Sequence, residues 1–320
     1  MYHFVRELRH SRYPEIKGLP MEQFREQIEY IRKHYNIIKM EELLVALSSG
    51  NYSLPPRALL LTFDDGYADH YANVFPFFDE LKIQGSFFPP AKSIIEHKVL
   101  DVNKIHFVLA AVTDKQKIIH DVYSAIDEFR SDYSLKENRW YYESFARASR
   151  FDTGDVVFIK RMMQKELPEK LRNSIVNRLF KKYVTEDETS FAGELYMSVD
   201  QLKCMIRNGM YIGSHGYDHY WLDTLDEDSQ EREVNLSLNF LRDIGCDINN
   251  WVMCYPYGAY NDSLLSVLKR KGCKAGLATN VRIADLDAEN PLTLPRLDTN
   301  DLPKERNARP NEWTLKVLEP

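Results

Sequence analysis

Ala58-Leu59-Leu60-Leu61-Thr62-Phe63-Asp64-Asp65-Gly66 is an apolar run that ends in two adjacent acids and a glycine. The run reads as a buried strand. Ionised carboxylates at its mouth are costly to desolvate unless a cation or hydrogen bonds compensate, so the pair points to something positive beside it. Taken alone, Asp-Asp-Gly also fits an ordinary turn, in which Asp accepts backbone hydrogen bonds and Gly takes positive φ. A second apolar run, Met210-Tyr211-Ile212-Gly213, leads into Ser214-His215-Gly216-Tyr217-Asp218-His219, the one place in the chain with two closely spaced histidines. That spacing lets two imidazoles reach a single Zn²⁺ at about 2.0–2.1 Å. Strand-end acids and strand-end histidines in one α/β chain converge on the same edge of a parallel sheet, where such folds place their sites.

The rest of the chain supports alternation of strands and helices. Residues 20–35 put Phe24, Ile28 and Ile31 on one helical face, with Pro20 suited to the first turn. Short strands are expected at 36–40, 57–63, 84–88, 211–214, 251–255, 273–278 and 292–294, with helices at 41–48, 72–82, 198–207, 227–244 and 261–271. Ser198-Val199-Asp200-Gln201 is a capping-box pattern. This order predicts an α/β fold with a parallel sheet and crossover helices, an α/β barrel or a relative of one. The stretch from about 97 to 196 breaks the alternation with charged helical segments at 105–112, 115–130, 139–148, 156–164 and 168–184, and reads as a helical insertion. Within it Trp140-Tyr141-Tyr142 and Phe145 fit either a sugar-stacking platform or the insertion's own core. His70, between Tyr67-Ala68-Asp69 and Tyr71, reads as a packing residue of its helix, and Trp221 as a pocket-lining or packing residue.

Composition narrows the function classes. With 320 residues, 44% of them hydrophobic, the chain can bury a full core. A net charge of −6 with no basic run argues against nucleic acid as a partner. The four cysteines, Cys204, Cys246, Cys254 and Cys273, form no Cys-x-x-Cys pair and read as free thiols. No apolar stretch is long enough for a transmembrane helix and no signal-peptide pattern opens the chain, so the expected location is cytoplasmic.

The chain resembles the polysaccharide deacetylases of carbohydrate esterase family 4. The resemblance is carried by Thr62-Phe63-Asp64-Asp65-Gly66, by Ser214-His215 through His219, by Tyr255-Pro256-Tyr257-Gly258-Ala259-Tyr260-Asn261 and by Leu294-Pro295-Arg296. Tyr2-His3-Phe4-Val5 resembles the N-terminal Tyr-His-x-Val element of the poly-N-acetylglucosamine deacetylase branch. The resemblance implies a distorted (β/α) barrel: one discontinuous catalytic domain over residues 1–97 and 196–320, with 98–195 inserted. It implies that Asp65, His215 and His219 hold one divalent metal, Zn²⁺ by preference, and that Asp64 is the general base. The Tyr257 backbone N–H would then stabilise the oxyanion. Two features depart from the larger family. No histidine follows His219, which shifts the general acid to His3, and Cys254 stands where many members carry an arginine that holds the catalytic Asp, a charge that Arg296 is placed to supply. The expected activity is hydrolysis of an N-acetyl group on an amino sugar in a polysaccharide, glycan or glycan precursor. The alternatives are an amidohydrolase of a formamide or other non-sugar amide, and a glycan-binding protein that has lost its chemistry.

Overall fold

The computed structural model describes residues 1–49, 54–149 and 152–318. The chain divides into two compact units, one made of Met1–Glu7, Gly18–Lys98 and Ala192–Pro320, the other of Leu8–Lys17 and Val99–Phe191.

The first unit is built on short parallel strands. β1 (Asn36–Ile37) pairs with β2 (Ala58–Leu59), and β3 (Thr62–Asp64) pairs with β4 (Ser86–Phe88). β4 pairs in turn with β5 (Tyr211–Ile212), and β6 (Val252–Cys254) pairs with β7 (Ala275–Leu277). Parallel bridges from Tyr2 to Phe63, Ser214 to Met253 and Leu277 to Leu294 join the β3–β4–β5 and β6–β7 ladders into one row, and β2 runs on along the chain into β3. The ends of the row meet, because the Met1 nitrogen donates to the Leu297 carbonyl at 2.6 Å. The result is a distorted parallel barrel with crossover helices such as Met21–His34, Val199–Arg207, Glu227–Ile244 and Asp262–Arg270. Its strands β3, β4, β6 and β7 are buried throughout, as expected of strands covered on both faces.

Sequence signals set most boundaries. Ser198 and Gln201 form the full capping box of helix Val199–Arg207, and the Asn261 side chain caps Asp262–Arg270 by accepting from Leu264 N. Three expectations need correction. The strand expected over 57–63 is two short ladders, β2 and β3, because the segment changes neighbour from β1 to Tyr2 between Leu59 and Phe63. The helix expected over 72–82 begins as a wide π-turn, His70–Val74, before Phe75–Leu81. Pro76 has no N–H for an i→i−4 bond, so the regular ladder cannot run through it. The strand expected over 292–294 is a 3₁₀ turn, Pro291–Thr293, with only Leu294 bridging to β7. Pro291 cannot donate to a ladder, and the Asn290 side chain takes the Leu292 N–H instead.

The second unit is helical among its described residues, with Asp101–Ala111, Lys115–Tyr133, Asn138–Phe145, Gly154–Arg161 and Glu169–Tyr183. Its core includes Ile118, Val122, Ile126, Phe158, Ile175 and Phe180. Of the aromatic cluster singled out above, Tyr141 is buried while Trp140 is 46% exposed, so the cluster divides between core and surface.

Candidate active site

Asp64 ends β3 and is buried, its backbone N–H held by the Tyr2 carbonyl at 2.9 Å. The next two residues both take left-handed backbone, Asp65 at φ 70° and Gly66 at φ 67°, which turns the chain sharply and sends the two carboxylates to different partners. Glycine is required at position 66, since a Cβ there would lie 2.6 Å from Pro89 Cβ.

The Asp65 side chain is fixed from one side by the Tyr67 hydroxyl, which donates to Oδ2 at 2.5 Å. Its other oxygen, Oδ1, is buried and has no hydrogen-bond partner among the described residues. It faces His215 Nε2 at 3.4 Å and His219 Nε2 at 3.3 Å, all three side chains being buried. Ligand atoms each about 2.1 Å from a tetrahedral centre lie roughly 3.4 Å apart, so this spacing fits a shared metal ion. His215 is oriented by its other ring nitrogen. Nδ1 lies 2.7 Å from the Cys254 carbonyl, which only accepts, so Nδ1 carries a proton and Nε2 is the nitrogen turned to Asp65. His219 sits at φ 57°, and burial holds its pKa below the ordinary imidazole value. Glu233, from helix Glu227–Ile244, accepts the backbone N–H groups of Tyr217 and Asp218 at 3.0 Å each, and Ser237 meets the Ser214 hydroxyl at 2.7 Å. The helix therefore clamps the loop that carries both histidines.

Asp64 lies in a different environment. Burial alone would raise its pKa, but Arg296 overrides this and holds the carboxyl well below the usual range. The guanidinium is bidentate, with Nη1 to Oδ1 and Nη2 to Oδ2 both at 2.9 Å, and is itself steadied by Nε to the Ala278 carbonyl at 2.9 Å and Nη1 to Thr62 Oγ1 at 3.2 Å. Burial pushes the Cys254 thiol pKa up, so Sγ keeps its hydrogen and donates to Asp64 Oδ1 at 3.3 Å.

His3 occupies the rim. Tyr2 stacks on Phe63 and Phe4 on Tyr67, and the alternation of the extended chain leaves His3 exposed between them. Its positive form favours ionisation of both Asp64 and Asp65, though it is not part of the Asp65, His215 and His219 cluster. Tyr257 lies in the 3₁₀ turn Pro256–Gly258 at φ 58°. Its ring stacks on Trp221 at 4.3 Å and meets the edge of His219 at 4.7 Å, forming an aromatic wall beside the cluster. His70 stays out of the cluster, its Nε2 donating to the His3 carbonyl at 2.8 Å.

The roles of Tyr67, the Cys254 thiol and Glu233 escaped sequence reasoning. A signal existed for one: Gln230, Glu233 and Ser237 are polar residues on the stripe of helix Glu227–Ile244 that also buries Val234, Leu241 and Ile244. Polar groups on a buried stripe need partners, and here those partners lie in the histidine loop and its neighbours.

The family model for polysaccharide deacetylases matches residues 51–124 and 173–276, more than half of the chain. The chain belongs to the polysaccharide deacetylase family. As a family member it is a carbohydrate deacetylase, a hydrolase of N-acetylated carbohydrate, in a metal-dependent family, and its buried Asp65, His215 and His219 form a group that could hold a metal ion. Solved structures share the fold. The Streptococcus pyogenes deacetylase PplD in complex with acetate is 17% identical, with a TM-score of 0.59 over 100% of this chain and 96% of that one. IcaB from Ammonifex degensii is 18% identical, with a TM-score of 0.54 over 94% and 91%. A de-N-acetylase from Aggregatibacter actinomycetemcomitans is 14% identical, with a TM-score of 0.53 over 98% and 96%. No curated protein matches the sequence. Among the described residues, no helix of this deacetylase is long and apolar enough to cross a membrane.

Proposed function

We propose that the chain hydrolyses the N-acetyl group of an amino sugar in a polysaccharide, glycan or glycan precursor, with Asp65, His215 and His219 holding a divalent ion and Asp64 as general base. The observation that carries this reading is the buried Asp65 Oδ1, without a hydrogen-bond partner among the described residues and flanked by two imidazole nitrogens. A carboxylate oxygen with two imidazoles suits Zn²⁺ and neighbouring transition metals better than Ca²⁺ or Mg²⁺. When bound there, such an ion supplies Lewis-acid polarisation of the acetyl carbonyl and a water acidified towards neutral pH. Asp64, kept ionised by Arg296, is free to accept a proton but is a weak base, so its role depends on the acidity that the ion would give the water. Arg296 serves as its positioning residue.

Attack on the acetamide carbon builds an oxyanion, for which the Tyr257 backbone N–H is the assigned donor. Breaking the C–N bond then gives acetate and an amine that takes a proton. His3, exposed at the rim, is the assigned donor of that proton. Acetate, bound in the S. pyogenes relative, is the second product of this reaction. We assign the catalytic domain to residues 1–97 and 196–320, with 98–195 as a helical insertion.

The reading is tested by incubating the protein with N-acetylglucosamine oligomers and measuring acetate and formate separately. Acetate release by the wild type, with turnover on an unactivated amide reduced in His3→Ala while metal content is unchanged, is the expected result. Formate from a formamide, with no acetate from any N-acetyl sugar, would move the activity to a non-sugar amidohydrolase. An unchanged His3→Ala would remove His3 from the acid role.

A further inference from the structure

The strand that delivers Asp64 also borders a cavity of about 490 Å³ within the first unit, and residues 57–62 all line it in succession. Exposure falls along that segment. Arg57 is exposed, Ala58, Leu59 and Leu60 are half-buried, and Leu61 and Thr62 are buried. The cavity is open to solvent at Arg57 and at Arg282, Ile283 and Ala284, and it ends against Thr62 and Arg296, whereas Asp64, Asp65, His215 and His219 do not line it. Its walls are mixed, with an apolar part that includes Ile38, Leu43, Leu277, Leu286 and Leu294.

Several polar groups of the lining are committed elsewhere, while Thr299 Oγ1 is buried with no hydrogen-bond partner among the described residues. The Gln27 amide donates to the Thr299 and Leu302 carbonyls and accepts from the Tyr2 hydroxyl. The Asp298 carboxylate is taken by Asn300, and Arg282 pairs with Glu289 at 3.2 Å. Arg57, at the mouth, has no ion pair among the described residues. Side chains facing an empty space forfeit packing contacts, so the leucine-rich part of this space is one that an apolar group would fill favourably. At about 30 Å³ for a water-sized group, it holds roughly sixteen of them, the bulk of one long alkyl chain.

We propose that this cavity binds a single-chain amphiphile with an anionic head group, the alkyl chain among the leucines and the head at Arg57. The site is separate from the deacetylase centre and does not depend on the reading given for that centre, though the far end of the chain would lie against Arg296.

The test is a fluorescence titration of the metal-loaded protein with dansyl-undecanoic acid below its micelle concentration. Saturable binding at one site per chain is expected. Filling the cavity from either wall, with Leu60→Trp or Leu286→Trp, and reversing the mouth charge with Arg57→Glu, should each weaken binding about tenfold or more. The neutral alcohol of the same chain should bind about tenfold more weakly than the acid. The melting temperature, metal content and acetate release of Arg57→Glu and Leu286→Trp should match the wild type, which separates lost binding from lost folding. Absence of saturable binding to the wild type would overturn the proposal. So would unchanged affinity in folded Leu286→Trp, while equal affinity for acid and alcohol would overturn the anionic head group.

Discussion

Asp64 and Asp65 are adjacent in the chain yet meet opposite partners, a guanidinium for one and two imidazole nitrogens for the other. Their substitutions should separate accordingly. Asp64→Asn should keep the metal and lose turnover by roughly 10²-fold or more, whereas Asp65→Asn should lose the metal itself. Metal content beside acetate release distinguishes the two; metal loss in Asp64→Asn would exchange their roles. Arg296→Met leaves Asp64 buried without its counter-charge, at a cost of about 3–5 kcal/mol. The pH dependence of unfolding in the metal-free protein should then change sign. With Arg296 present, the folded Asp64 pKa is depressed, so its stabilisation is full above the unfolded value of about 4 and is lost as pH falls towards the folded value. In Arg296→Met, burial raises the folded pKa above the unfolded one, and stability should increase as pH falls from about 7 to 5. A variant that keeps the wild-type slope would show that Arg296 does not set the ionisation of Asp64. The acids and histidines were legible because polar residues close apolar runs at Asp64 and His215. Tyr67 and Cys254 were not, since the contacts of Tyr67 with Asp65 and of Cys254 with Asp64 exist only once a turn and a barrel have formed.

At the scale of the element, tight turns position the site, and glycine makes one of them possible. Gly66→Ala combines positive φ with a Cβ 2.6 Å from Pro89 Cβ and 2.9 Å from Pro89 Cα. Gly209→Ala has φ +81° and nothing within 4 Å. Urea unfolding should show a loss of about 1–2 kcal/mol for Gly209→Ala, the backbone cost alone, and a larger loss for Gly66→Ala together with weaker metal binding. Equal losses would mean that the packing on Pro89 relaxes and does not hold the turn. Helix ends were readable where side chains cap them, as at Ser198 and Asn261. Strand lengths were not: Leu60 and Leu61 look like an unbroken strand, and only the arrival of Tyr2 beside Phe63 divides it. Pro76 and Pro291 did carry a readable signal, a missing N–H inside an expected helix and immediately before an expected strand.

On the scale of the whole molecule, residues far apart in sequence converge through the parallel row from Tyr2 to Leu294. His3 comes from its first segment, Asp64 from the end of β3 and Asp65 from the turn just after it, and Arg296 from beside its last. The alternation of strands and helices made the α/β class legible, but the pairing of the first and last segments was beyond local pattern because it joins residues almost a full chain apart. Metal binding at Asp65, His215 and His219 should stabilise this assembly by mass action, so chelation should lower the melting temperature and Zn²⁺ should restore it. The most direct test of the account is metal content by elemental analysis, measured with acetate release from N-acetylglucosamine oligomers, for the wild type and the Asp65→Ala/His215→Ala double variant. About one divalent ion per chain with acetate release, both lost in the double variant, is the predicted result. Acetate release that persists in the metal-free double variant would contradict it.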